Sequence, residues 1–227
     1  MRTLLLAICP YAIGIIAVLE LVIFILLIRR FRESGRKVAL FMGLISLGLF
    51  LDAAVIVLGR LIGEGALLLF LSRIRYVAHG VLIPLMLIII PYALEAGGIW
   101  KKLTWLLTIL LMLLGCAEGF ANVLEYSETA GVLRCVSSDA TPAWASAVSG
   151  ILSFGTVIPV IIFGIVIWIR QKDPNIFLAG FLMFLFAGLG PVGGNMDLIF
   201  FISMFGELAM VFFYYRYTRR YVSNKKE

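Results

Sequence analysis

Residues 4–37 read LLLAICPYAIGIIAVLELVIFILLIRRFRESGRK. The first 25 residues, 4–28, carry one charged side chain, Glu20, and the next nine carry five basic ones. About 20 apolar residues at 1.5 Å each cross the hydrocarbon of a bilayer. The run is too long for the apolar region of a signal peptide, and it ends in a basic stop-transfer cluster. It is expected to stay in the membrane as a first span, and the same pattern then repeats along the chain. Apolar runs at about 38–59, 66–93, 103–122, 143–169, 174–192 and 196–217 give seven expected spans in one domain, 1–227. The fold class expected is all-α, a polytopic bundle.

Composition agrees. Of 227 residues, 63% are hydrophobic and 14% are Asp, Glu, Lys or Arg. A soluble domain is nearer half apolar and a quarter charged, and so few polar groups could not cover its surface. A soluble enzyme, a disordered chain and a disulfide-stapled secreted domain are all excluded. The net charge of +6 would hint at nucleic acid in a soluble protein. Here the basic residues sit at the ends of apolar runs, so they are read as topology signals and nucleic acid is not expected as a partner.

Short loops rich in Lys and Arg stay cytoplasmic. The breaks at 29–37, 95–102 and 170–174, with the C-terminal end from Arg216 onward, hold 14 of the 19 basic residues. The breaks at 59–65 and 123–142 hold Arg60 and Arg134, and 188–195 holds none. This alternation predicts an N-terminus outside, a cytoplasmic C-terminus and a multi-pass protein of the cell membrane. The 123–142 segment is expected as the one long loop. Pro10, Pro84, Pro91 and Pro159 fall inside spans, where each removes a backbone hydrogen bond and can bend its helix.

Charge inside a span is costly and marks a candidate site. The candidates are Asp52, Arg73, Arg75, His79, Glu118, Asp197 and Glu207, with Glu20 further in. Counting along the spans places Asp52, Arg73, Arg75, His79, Glu118 and Asp197 in the outer half, Glu207 near the midplane and Glu20 in the inner half. Arg75 and His79, four apart, share a helical face. Asp52 is expected within about 4 Å of Arg73 or Arg75, since neighbouring antiparallel spans pack together. Two readings stay open: structural glue between helices, or a polar cavity that binds a ligand or relays ions.

Other chemistry is poorly supplied. One histidine in the chain argues against a zinc centre, which needs about three converging N, O or S ligands. Ser72 and His79 are two turns apart on one span, too far for a nucleophile and its base. There is no P-loop or dinucleotide fingerprint. Cys9, Cys116 and Cys135 form no CxxC pattern, and a Cys116–Cys135 bridge requires Cys116 at the outer end of its helix. No catalytic residue and no metal are expected.

Residues 75–87, RYVAHGVLIPLML, resemble the third helix of microbial rhodopsins: Arg75, Tyr76, Pro84 and Leu85 match its Arg-Tyr and Pro-Leu pairs. Ala78 stands where that family carries its counterion carboxylate. The resemblance implies seven helices, N-terminus outside. The family binds retinal through a lysine of helix seven, but Lys37, Lys101, Lys102, Lys172, Lys225 and Lys226 all fall in expected loops or the tail. Val211 or Phe201 occupies the lysine position, depending on whether Glu207 or Asp197 stands for the preceding carboxylate. No Schiff base and no cofactor are therefore expected. The leading expectation is a non-enzymatic, opsin-like sensor or small-ligand-binding protein. Its expected partners are the bilayer, a hydrophobic or small polar ligand, and a membrane partner or second copy. The alternatives are a small transporter or ion-translocating protein using Asp52, Glu207 and Arg75 as a relay, and a membrane lipid hydrolase built on His79 and Asp52.

Overall fold

The structure, a computed structural model, describes residues 2–188 and 196–223, with side chains at 6–187 and 197–219. The helices are α1 (Arg2–Ser34), α2 (Lys37–Ile62), α3 (Ala66–Leu82), α4 (Leu85–Ala93) and α5 (Gly98–Ala121), then α6 (Ala143–Gln171), α7 (Asn175–Gly188) and α8 (Met196–Ser223). Between α5 and α6 lie two short strands, β1 (Leu124–Thr129) and β2 (Val132–Ser137).

Six helical stretches are long and apolar enough to cross a membrane, with α3 and α4 counted as one. The seventh, Asn175–Ala187, is apolar but shorter. Residues 189–192, the end of the span expected at 174–192, lie outside the described residues, as do Lys225 and Lys226. Helices face outward with side chains water would not tolerate: Leu106 and Leu113 of α5 and Ile151, Ile162 and Ile169 of α6 are more than half exposed. Apolar faces of that extent fit a membrane protein.

Three boundaries differ from those expected. First, α1 runs through the basic cluster, because Glu33 accepts from Arg29 Nε at 2.8 Å and Arg30 Nη1 at 3.2 Å and holds the last turn. Gly35, with φ +67°, ends it, so the break shrinks to two residues. Second, the run at 66–93 splits at Ile83-Pro84. Pro84 has no N–H to donate into the helix, and tight turns from Met86 to the Ile83 carbonyl and Leu87 to the Pro84 carbonyl take over. Third, the long loop is a β-hairpin. Leu124 pairs with Ser137 and Thr129 with Val132. The turn residues Ala130 (φ +52°) and Gly131 (φ +75°) are both left-handed, the turn whose twist matches paired strands.

The helices pack in chain order around a ring. α2 lies against α1, α3 and α4, α5 against α3, α4 and α6, α7 between α6 and α8, and α8 closes on α1. Gly80 of α3 and Gly115 of α5 touch backbone to backbone, leaving no room for a Cβ on either. Small residues allow such close crossing where lipid supplies no hydrophobic drive between helices.

Side-chain bonds define the two ends. At one, the hairpin meets the start of α1, the α2–α3 turn and the start of α8. A Cβ on Gly131 would lie 2.6 Å from the Leu6 carbonyl. The Tyr126 hydroxyl accepts the Gly65 N–H at 3.0 Å, and Asp197 Oδ1 accepts the Ala130 N–H at 2.7 Å. At the other, basic end, Gln171 donates to the Ala93 carbonyl at 2.7 Å and accepts from the Tyr217 hydroxyl at 3.0 Å, joining the last turns of α4 and α6 to α8. The larger apolar core, with Leu27, Met42, Ile45, Ile88, Tyr214 and Tyr217, fills this half. A smaller cluster of Cys9, Ile13, Ile56, Val132, Phe200 and Met204 lies under the hairpin.

Candidate functional site

Between the two apolar clusters lies a polar chamber of about 250 Å³. Its charged walls are Asp52 of α2, Arg75 and His79 of α3, Glu118 of α5, Arg134 of β2 and Glu207 of α8. Tyr76, Ser149 and Ser203 add hydroxyls. The ring order brings these elements together, since each chamber helix neighbours another.

Arg75 Nε lies 3.7 Å from Asp52 Oδ1, and its Nη2 donates to the Cys135 carbonyl at 3.0 Å. The hairpin backbone thus holds one side of the guanidinium and α2 faces the other. Arg134 reaches in from β2 with its guanidinium 4.0 Å above the Phe200 ring, a cation–π contact. Burial, and next the like charge of Arg75, push the Arg134 guanidinium below its ordinary value. Glu118 Oε1 accepts from Asn122 Nδ2 at 2.5 Å, and Asn122 Oδ1 accepts from the Ser137 hydroxyl at 2.7 Å, tying α5 to the hairpin.

Several buried atoms are left over. Arg75 Nε, Arg134 Nε and Glu207 Oε2 have no hydrogen-bond partner among the described residues. Both carboxyl oxygens of Glu20, a fully buried side chain of α1, are in the same position. Glu20, Asp52 and Glu207 lie close enough to feel one another's charge. A buried polar group without a partner costs about 1–3 kcal/mol, so a chamber with orphaned donors and an orphaned acceptor is a place where a polar guest gains much.

Five of the seven candidates named from sequence line this chamber: Asp52, Arg75, His79, Glu118 and Glu207. Two are elsewhere. Arg73 closes the end of α5, its Nη1 donating to the carbonyls of Gly119 (2.8 Å), Phe120 (3.1 Å) and Asn122 (2.5 Å). Those are carbonyls a helix C-terminus leaves unpaired. Asp197 anchors the hairpin turn. Arg134 and Glu20 belong to the site, or adjoin it, without having been placed there. Arg134 had a signal: Ala130-Gly131 between two runs holding Tyr, Thr and Val is a two-residue hairpin pattern.

Among the described residues no group of three or more His, Cys, Asp or Glu could hold a metal ion, and the three cysteines are free. Lys37 opens α2, Lys101 and Lys102 lie in the first turn of α5 rather than in a loop, and Lys172 follows α6. No lysine lines the chamber. No protein-family model matches the chain, and no curated protein is significantly similar to it in sequence.

Proposed function

We propose that this chain is a multi-pass protein of the cell membrane, with seven spans, an external N-terminus and a cytoplasmic C-terminus. In this reading it is a non-enzymatic, opsin-like sensor that holds a small ligand without a covalent bond in the polar chamber. The observation that carries the ligand reading is the convergence on one cavity of Arg134 and Glu207, each with an orphaned buried atom, beside the Arg75–Asp52 pair. Glue alone would pair these atoms with one another. The absence of a lysine from the chamber walls argues for non-covalent binding.

The topology draws support from the two ends. The starts of α1 and α8 both meet the hairpin, and α8 ends at the basic end, an arrangement that supports an odd number of crossings. The basic end carries the lysines and arginines of three connections, which favours the cytoplasm. A reporter fused after Glu227 is expected to read as cytoplasmic, and an external reading overturns the orientation.

The ligand reading is tested with small anions on the purified chain. Butanoate is expected to raise the thermal midpoint saturably in the wild type and to leave Arg134→Gln unchanged. No rise, or an equal rise in both, overturns it. A second reading, ion translocation, is favoured by the buried carboxylates of Glu20 and Glu207 and the half-buried one of Asp52 on three helices. Proton flux into proteoliposomes that falls in Glu20→Gln would establish it, and flux equal to empty liposomes removes it.

A further inference from the structure

The polar chamber does not end at His79. A second cavity of about 160 Å³ lies toward the basic end and shares His79 and Ser153 with the first. Its walls are almost entirely apolar, with Leu49 of α2, Met86 of α4, Val157 of α6, Met183 of α7 and Met210 of α8. Two further lining residues, Phe154 of α6 and Phe184 of α7, sit edge to face with ring centres 6.4 Å apart. They are 58% and 40% exposed, so the cavity wall they form reaches the outer surface of the bundle between α6 and α7.

We propose that the two cavities form one site for a single-chain amphiphile with a carboxylic acid head, entering from the bilayer between α6 and α7. The inference rests on the ligand reading above and names its ligand class. The head lies among Arg75, Arg134 and Glu207. A carboxyl group offers acceptor oxygens to the two guanidinium groups, whose Nε atoms make no hydrogen bond among the described residues, and, when protonated, an O–H to Glu207 Oε2. A quaternary ammonium head would meet two arginines and offer no donor. The tail passes His79 and Ser153 to lie among Met86, Met183 and Met210, whose unbranched side chains adapt to irregular partners. A cavity of this size is smaller than the usual site for a drug-sized molecule, which suits one slim chain better than a ring system or a two-chain lipid.

The test uses the full chain in proteoliposomes and dodecanoic acid carrying a diazirine at its chain end. On illumination, adducts are expected on the peptides holding Met86, Met183 and Met210. Excess dodecanoic acid should suppress them about tenfold, a difference of about 1.4 kcal/mol in competition, while methyl dodecanoate and dodecyltrimethylammonium should not. Arg134→Gln should reduce them comparably. Ala187→Phe, at an exposed position of α7 that lines the second cavity and not the first, fills the tail's space without touching the head group's partners. It should abolish the adducts on Met86, Met183 and Met210 and leave the rise in thermal midpoint with butanoate intact. Adducts spread over the outward-facing Leu106 and Leu113 and indifferent to competitor would overturn the proposal. If butanoate stabilises the protein but the second cavity is never labelled, the amphiphile inference falls and the ligand reading survives. If neither occurs, both fall.

Discussion

The two ends of the bundle are closed by different means. At the basic end, large apolar side chains from α1, α2, α4 and α8 fill the space, and one glutamine bridges α4, α6 and α8. At the hairpin end, a two-stranded ribbon is fastened to the helices by side chain–backbone bonds from Tyr126, Asp197 and Arg75. The ribbon spans the gap instead of filling it. The comparison teaches why the cavity survives: a bundle closed by packing alone collapses onto its centre, whereas one held by a cap keeps room beneath it.

Close-packing substitutions should break this contrast most strongly. A Cβ on Gly59 would strike the Leu133 carbonyl of the hairpin, and one on Gly164 would lie 2.6 Å from Phe177 Cα in α7. Gly59→Val and Gly164→Val are each expected to cost about 3 kcal/mol or more in detergent unfolding, the upper range for overpacking. They should differ in hydrogen exchange. Gly59→Val should release the amides of Ser127 and Val136, which face the partner strand, and Gly164→Val should leave them protected. Equal release in both would mean that the cap and the packed end are one cooperative unit.

Arg73 comes next. Arg73→Ala removes a charged donor from three carbonyls at the end of α5, and a loss of about 2–3 kcal/mol is expected, the range for hydrogen bonds to charge and orphaned buried acceptors. Gln171→Ala, its counterpart at the packed end, should cost only about 1 kcal/mol. A reversed order would show that the packed end relies on hydrogen bonds after all.

These helix-end details mark where sequence reading stopped. The helices themselves were legible, because the length of each apolar run is dictated by the bilayer. Arg75 and His79, four apart, share a face and a chamber as expected. Arg73 and Arg75 are two apart, and at about 100° per residue they point roughly 200° around the helix. One therefore enters the chamber and the other reaches α5, although depth alone placed them together. Glu20 was set too far from the cluster because α1 was expected to stop before its basic residues. The helix runs from Arg2 to Ser34, so its middle shifts toward Glu20. Arg134 was hidden by its polar surroundings, where a paired strand was expected to be a loop.

A smaller effect sharpens the contrast from inside the chamber. Asp52→Asn leaves Arg75 its bond to the Cys135 carbonyl and a roomy polar wall, so a loss near 1 kcal/mol is expected, as for a solvated pair. A loss of about 3–5 kcal/mol, the cost of stranding a charge in a dry site, would mean that the chamber holds no water and acts as glue. The smallest effect is at the packed end. The Tyr214 hydroxyl is buried without a hydrogen-bond partner among the described residues, so Tyr214→Phe should leave stability within about 0.5 kcal/mol or raise it. Its thermal midpoint checks this directly.

The break at Ile83-Pro84 has a mechanical consequence. Because proline donates nothing back to the carbonyl four residues earlier, α3 and α4 are two rods meeting at a joint. The upper rod carries Arg75 and His79, and its Gly80 rests on Gly115 of α5, a smooth bearing with no side chain to catch. The lower rod is almost wholly buried in the packed half. Bending at the joint can therefore change the volume enclosed above it while leaving the lower rod in place.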